Sequence, residues 1–311
     1  MNKIKVFIDG QVGTVGLQLE KRLRARDDVE LLEIDPQDVK KCEDPVRRKE
    51  RILQADAVFL CLPDEHARAS VAMAPADTLV IDSSTAHRTS PGWAYGFPEL
   101  SPAYRAAIAG GRRIAVPGCH ATGFIAAIYP LVSAGLLPRD AMLSCTSLTG
   151  YSGGGRDLIA AYQTNRKADD PLHAPRPYAL GLNHKHLAEM RAVCELEWEP
   201  LFLPVLGDVY QGMLVSIPLW SAQLTRPRGA RAVWETLSEH YRDSRNVRVM
   251  PMAPELPGGA LDLTACNGTN RLELFVFGNE TQILVISRLD NLGKGASGAA
   301  VQCMDIALGL E

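Results

Sequence analysis

Three things are scarce in this 311-residue chain. No apolar run reaches the roughly 18 residues that span a bilayer, so no membrane helix is expected. Positive charge is not in excess: 33 Lys and Arg stand against 36 Asp and Glu, a formal net charge of −3. That balance lacks the electrostatic footprint of a nucleic-acid binder. The seven cysteines (42, 61, 119, 145, 194, 266 and 303) are scattered and odd in number, with no CxxC pair or Cys/His cluster at zinc spacing. Neither a disulfide framework nor a metal site is expected, and a functional cysteine acts here as a free thiol in a reducing compartment. The start MNKIKVFIDG reads directly into a strand and lacks the regions of a secretory signal, which makes the cytoplasm the expected compartment. What remains is a composition of 46% hydrophobic and 22% charged residues without low-complexity tracts, enough for two packed domains.

Short apolar runs alternate with amphipathic segments from the start. KVFID (5–9), VELLEI (29–34), AVFLCL (57–62) and TLVID (78–82) read as strands, and 13–26, 45–55 and 64–74 carry helical spacing. Such alternation predicts a parallel sheet with right-handed crossovers, joined by a further strand, RIAV, that stops at Pro117. Beyond residue 120 the texture changes. A helix (121–134) leads to the polar strand SCTSLTG, and long β-type runs follow at 201–206, 210–222, 260–267, 271–279 and 281–292, with a helix over 231–242. The expectation is an α/β protein. A Rossmann-type parallel-sheet domain spans 1–118 plus the closing segment 293–311, and an α+β domain with a mixed, mostly antiparallel sheet spans 119–292.

DGQVGTVGLQL (9–19) follows the first strand and opens a helix, with Gly10, Gly13 and Gly16 at G-x-x-G-x-x-G spacing and Thr14 and Val15 between them. Glycines there allow a tight turn and let backbone N–H groups approach a pyrophosphate at the positive helix end. Asp35 ends the second strand about 20 residues on, where an acidic side chain bonds a ribose 2′-hydroxyl and favours NAD. Lys40 and Lys41 follow, and they either meet a 2′-phosphate or belong to a solvated loop. The residues alone leave both cofactors open.

VPGCHATGF (116–124) sets Cys119 between a Pro-Gly turn and a helix start. Most free cysteines are buried small hydrophobes, and Cys61 and Cys303 fit that description. Cys119 instead has turn and cap neighbours, where the helix dipole and free N–H groups favour a thiolate and can stabilise an oxyanion. A nucleophilic cysteine needs a base that can return a proton. NHKHLAEM (183–190) offers His184 and His186 at a helix start, with Glu189 placed to orient a ring; the alternative is a surface capping box with two solvated histidines. His120 is constrained by its adjacency to Cys119. TGYSGGGRDL (149–158) runs a glycine cluster with Ser152 and Gly153 into a helix whose first turn holds Arg156, suited to a carboxylate or phosphate. IDSSTAHR (81–88) places Ser83, Ser84 and Arg88 at a strand's carboxyl end, the ligand edge of an open parallel sheet. Glu99 reads either as a buried carboxylate orienting site groups or as a helix cap before Ser101.

Together these stretches resemble the N-acetyl-gamma-glutamyl-phosphate reductase family, in its short form, along nearly the whole chain. GQVGTVG resembles the family's nucleotide loop, DSSTAHR and YGFPEL its first-domain signatures, VPGCHATG its catalytic-cysteine motif, GYSGGGR its serine-glycine loop, and GLNHKHLAEM its His-x-His-x-x-Glu segment. DNLGKGASGAAVQ resembles the closing motif, where Asn291, Lys294 and Gly295 would lie near the nicotinamide. Two departures stand out: His120 where tyrosine is common, and Ala188 where proline is common. The resemblance implies reduction of N-acetyl-glutamyl 5-phosphate by NADPH, with Lys40 and Lys41 on the 2′-phosphate. Cys119 would form a thioester, and His186 would serve as proton donor and acceptor. His184, Glu99, Arg88, Ser152, Gly153 and Arg156 would lie at the substrate, and the chain would assemble as a homodimer or homotetramer. Aspartate-semialdehyde dehydrogenase-like chemistry on another substrate and a non-enzymatic nucleotide or redox sensor are the competing readings.

Overall fold

The computed structural model describes residues 3–34, 44–164, 167, 169–226 and 228–311. Asp35, Lys40 and Lys41 lie outside them. The chain divides into two compact units, 1–118 with 296–311, and 119–295.

In the first unit β1 (Ile4–Asp9), β2 (Val29–Leu32), β3 (Ala57–Leu60), β4 (Leu79–Asp82), β5 (Ala94–Tyr95) and β6 (Arg113–Ala115) form a parallel sheet in the order β2-β1-β3-β4-β6-β5. The strands are buried on both faces, which is why their sequences are continuous apolar runs. Helices α1 (Thr14–Arg24), α2 (Pro45–Gln54), α3 (Asp64–Met73) and α4 (Pro102–Gly110) connect them. On one face Phe7, Val58 and Val80 pack with Ile52 of α2 and Ala67 of α3. On the other, Val6, Ile8, Phe59 and Ile81 pack with Leu19 and Leu23 of α1 and Ile108 of α4.

The second unit opens with α5 (Cys119–Ser133), apolar on every side and buried accordingly. Gly123 lets it lie close on the sheet: a Cβ there would sit 2.5 Å from a Val215 methyl. Pro130 has no N–H, so the Ala126 carbonyl four residues back needs another donor. The Tyr241 hydroxyl supplies it at 2.9 Å. The sheet beneath contains β7 (Ser144–Gly150), β8 (Arg176–Pro177), β9 (Leu201–Gly207), β10 (Met213–Trp220), β11 (Val247–Val249), β12 (Leu272–Gly278) and β13 (Gln282–Leu289). Its order is β11-β12-β13-β10-β7-β9-β8, with β11–β12 and β7–β9 parallel and the other pairs antiparallel. Further helices are α6 (Gly155–Gln163), α7 (Leu187–Val193) and α8 (Ala230–His240), while α9 (Gly298–Ala307) belongs to the first unit and lends Ala300, Cys303 and Met304 to its core.

One strand expectation fails. ALDLTACN (260–267) is a series of turns. Asp262 Oδ1 accepts both the N–H and the hydroxyl of Thr264 at 2.7 Å, a side-chain-closed turn that competes with strand pairing. Those bonds also hold the Asp262 carboxyl below its ordinary range.

Candidate active site

The glycine loop is tight for a stated reason. Gly10 has φ +92°, and a Cβ on it would lie 2.4 Å from the Cys61 carbonyl oxygen; one on Gly16 would lie 2.4 Å from the Gly10 carbonyl oxygen. Gly13 is the N-cap of α1, and among the described residues no side chain caps the helix, so its first N–H groups stay open to a ligand. Among the described residues Thr14 Oγ1 is buried with no hydrogen-bond partner. A glycine cradle, uncapped N–H donors and an orphaned hydroxyl fit a pyrophosphate. Beside the loop opens a cavity of about 730 Å³, largely apolar, lined by Val12, Leu62, Pro63, His66 and Met73 among others. That lining suits a purine ring. Its floor carries a buried ion pair. Asp9, the last residue of β1, receives Arg48 Nε at 3.0 Å and Nη2 at 2.9 Å, and the Ser70 hydroxyl at 2.7 Å. This pair ties the residue before Gly10 to α2 and α3.

After β4, Asp82 is wholly buried and accepts the Ser84 N–H (2.9 Å), the Ser84 hydroxyl (2.7 Å) and His87 Nδ1 (2.6 Å). The His87 ring stacks on Trp93 at 4.0 Å. Arg88 donates to the carbonyls of Val116 (2.9 Å) and Ser83 (2.9 Å), fixing the loop at the sheet's carboxyl edge. Glu99 accepts from Gln302 Nε2 at 2.9 Å, and the helix cap of α4 is the Ser101 hydroxyl.

Cys119 is the first residue of α5 and is half-buried. Burial pushes the Cys61 thiol up to about 12 and raises those of Cys145, Cys194 and Cys266. Cys303 is buried against the Gly96 carbonyl at 3.5 Å. A π-helical turn, Gly293–Ser297, backs Cys119: a Cβ on Gly295 would sit 2.7 Å from the Cys119 Cβ. The preceding loop is held by Asp290, whose carboxylate accepts the N–H groups of Gly268 and Leu292 and the Gln211 amide. Lys294 is 1% exposed.

Two imidazoles gather around that of His120, the residue after Cys119. His120 Nδ1 lies 2.7 Å from Ser147 Oγ and Nε2 lies 2.9 Å from the Tyr178 hydroxyl. Ring centroids separate His120 from His184 by 5.3 Å, His120 from His186 by 5.5 Å and His184 from His186 by 4.6 Å. Burial first, then the neighbouring His184 imidazole, pushes the His120 ring down to about 3, so it is neutral at ordinary pH. His184 Nδ1 accepts the His186 N–H at 3.1 Å, which puts the neutral ring's proton on Nε2. His186 and Glu189 are both buried, and the His186 side chain makes no cap bond to α7. The surface capping box is thereby excluded.

Ser152 is buried in a 3₁₀ turn (Tyr151–Gly154), and its hydroxyl accepts from Asn291 Nδ2 at 2.9 Å. The Asn291 oxygen takes the Gly212 N–H at 2.9 Å. A Cβ on Gly153 would be 3.6 Å from the same amide nitrogen. Arg156 is exposed in the first turn of α6 and has no ion-pair partner among the described residues.

Residues 5–108 match the NAD binding domain of semialdehyde dehydrogenase, and 119–291 match its dimerisation domain. Among proteins of known name, the N-acetyl-gamma-glutamyl-phosphate reductase of Chelativorans sp. is 45% identical, with 98% of each chain covered. A second such reductase, from Nostoc sp., is 43% identical over 100% of this chain and 98% of its own. The chain belongs to the N-acetyl-gamma-glutamyl-phosphate reductase family. As a member it is an enzyme, an oxidoreductase that interconverts an acyl phosphate and a semialdehyde. Solved structures give the same fold: a probable aspartate-semialdehyde dehydrogenase from Pseudomonas aeruginosa (TM-score 0.73, 19% identity, 99% of both chains) and aspartate semialdehyde dehydrogenase II from Vibrio cholerae (0.72, 16%, 99% of both).

Within this reductase the structure sets Gly295 against Cys119, gathers His184 and His186 on the ring of His120, the residue after Cys119, and joins Ser152 to Asn291. Gly10, Gly13, Thr14, Val15, Gly16, Ser83, Ser84, Arg88 and Glu99 lie in the first unit, and Lys294 in the second. Sequence reasoning did not find Arg48, Ser70, Ser147 or Tyr178. None sits in a motif; Ser147, two residues before TGYSGGGRDL, and Tyr178, six residues before His184, stood close to one.

Proposed function

We propose that this reductase converts N-acetyl-glutamyl 5-phosphate and NADPH to N-acetyl-glutamate 5-semialdehyde, NADP and phosphate through a thioester on Cys119. The observation that carries the reading is a half-buried thiol at the N-terminus of a buried 15-residue helix, followed in the chain by His120, whose ring meets those of His184 and His186. The helix dipole favours thiolate over thiol there. The thiolate attacks the acyl carbon, and phosphate departs with the electron pair of the broken C–O bond. The nicotinamide, when bound, supplies the hydride that reduces the thioester carbon. N–H groups of the first turn of α5 hold the oxyanion that develops. Re-forming the C=O bond expels the Cys119 sulfur as thiolate and frees the aldehyde.

His186 is the proton donor and acceptor. His184, locked as the Nε2–H tautomer by the backbone of His186, donates to substrate rather than taking a proton. Arg156, exposed, without an ion-pair partner among the described residues and three positions after Gly153 in the chain, meets a substrate anion. Gly10, Gly13, Thr14, Val15 and Gly16 hold the pyrophosphate of NADP(H). The open face of the second sheet, bearing Leu201, Leu203, Ile286 and Trp220, pairs with a second copy; Leu203→Asp should yield monomers by light scattering, and an unchanged assembly would reject this face.

The test is semialdehyde oxidation, followed as nicotinamide reduction with NADP or NAD, with and without phosphate, on wild type and Cys119→Ala. Phosphate-dependent reduction of NADP that vanishes in the alanine variant is the expected result. Retained turnover in Cys119→Ala would remove the thioester, and equal use of NAD would reassign the cofactor.

A further inference from the structure

We propose that His120 is a positioning residue that turns the Tyr178 phenol into a hydrogen-bond donor for the oxygen of the acyl group carried by Cys119. This rests on the reading of Cys119 as the acylated nucleophile. His120 follows Cys119 in the first turn of α5 and is 3% exposed. Its ring is clamped edge to face against Phe202 at 5.2 Å and His184 at 5.3 Å, and its two nitrogens face Ser147 and Tyr178.

The direction of these two bonds follows from what Ser147 can do. Ser147 is wholly buried, and among the described residues its hydroxyl has His120 Nδ1 as its one side-chain partner. If Nδ1 carried the proton, the serine hydroxyl would accept and its own proton would be left unpaired in the interior, a costly arrangement. The satisfied arrangement has Ser147 donating to Nδ1 and the proton on Nε2. Nε2–H then donates to the Tyr178 oxygen, so the phenol proton is released toward a third atom.

Tyr178 is only half-buried and borders the nucleophile. Burial and the Cys119 charge both push its phenol upward, so it stays protonated as a donor. His120 stays neutral at ordinary pH and exchanges no net proton; it aims one. A fixed donor at the reacting oxygen supplements the N–H groups of α5 as negative charge develops there.

Steady-state semialdehyde oxidation on wild type, Tyr178→Phe, His120→Leu, His120→Gln and the Tyr178→Phe/His120→Leu double variant tests the chain. Tyr178→Phe should lower kcat by about 10- to 100-fold, with KM for the semialdehyde within about threefold. His120→Leu should match it, and the double variant should be no slower than either. His120→Gln, whose side-chain N–H can meet the same phenol oxygen, should recover most of the rate. A Tyr178→Phe enzyme within about twofold of wild-type kcat, or altered in KM alone, overturns the proposal. So does a His120→Leu loss that adds in full to that of Tyr178→Phe. Tyr178→Phe removes one half-exposed hydroxyl and decides the matter even if His120→Leu does not fold. An inactive wild type would remove the thioester reading and this proposal together; an active one with intact Tyr178→Phe removes the proposal alone.

Discussion

His184 Nδ1 accepts the backbone N–H of His186 at 3.1 Å, so the neutral His184 ring carries its proton on Nε2, and in the proposed reaction the proton exchange falls to His186. His186→Gln should therefore lower kcat at least 100-fold and erase the acidic limb of the kcat–pH profile. His184→Gln should keep that limb and act mainly on KM. A pH profile that flattens in His184→Gln and persists in His186→Gln would reverse the assignment.

Gly295 is the back wall of the nucleophile. Gly295→Ala forces a methyl to within 2.7 Å of the Cys119 Cβ, so either the helix start or the π-turn must shift. Overpacking of this kind costs about 1–3 kcal/mol in stability. The rate should suffer more, since a displacement near 1 Å at the reacting atom costs on the order of 100-fold. Urea midpoints and kcat on one preparation separate the two effects.

The Asp9–Arg48 pair is buried, and removing one partner leaves the other charge unpaired. Arg48→Met should destabilise by about 3–5 kcal/mol in denaturant unfolding. Because Asp9 precedes Gly10, dinucleotide affinity should fall too, measured by fluorescence titration of NADPH. Unchanged stability would mean that Asp9 finds a substitute donor.

His120 gives the fold an acid sensitivity of definite sign. Its native value of about 3 lies below the roughly 6.5 of an unfolded histidine, so the unfolded chain binds the extra proton in between. Stability is present in full above about pH 6.5 and falls by about 1.4 kcal/mol per unit as pH drops toward 3. His120→Gln should flatten that part of the curve of urea midpoint against pH, and an unaltered slope would locate the sensitivity elsewhere.

β1 to β4 were legible because each is a mostly apolar run of four to six residues ended by turn chemistry, whereas the two-residue β5 is too short to leave a pattern. Cys119, His184 and His186 stood out as candidates because a thiol or imidazole at a helix start has few bland uses. ALDLTACN misled because its apolar residues carry strand propensity while Asp262, two residues before Thr264, closes a turn that propensity ignores. Arg48 and Ser147 were invisible for another reason. Each acts through a partner 39 or 27 residues away, and pairing at that distance leaves no mark on local spacing.

Residues 119–295 form a unit that is continuous in the chain, whereas the first unit is assembled from both ends. Ala300, Cys303 and Met304 complete the core that Val6, Ile8 and Phe59 begin. During synthesis, therefore, one face of the opening strands stays uncovered until α9 has been made, about 290 residues after β1. The intervening unit is complete before then, so the sheet beside the glycine loop is the later of the two to close.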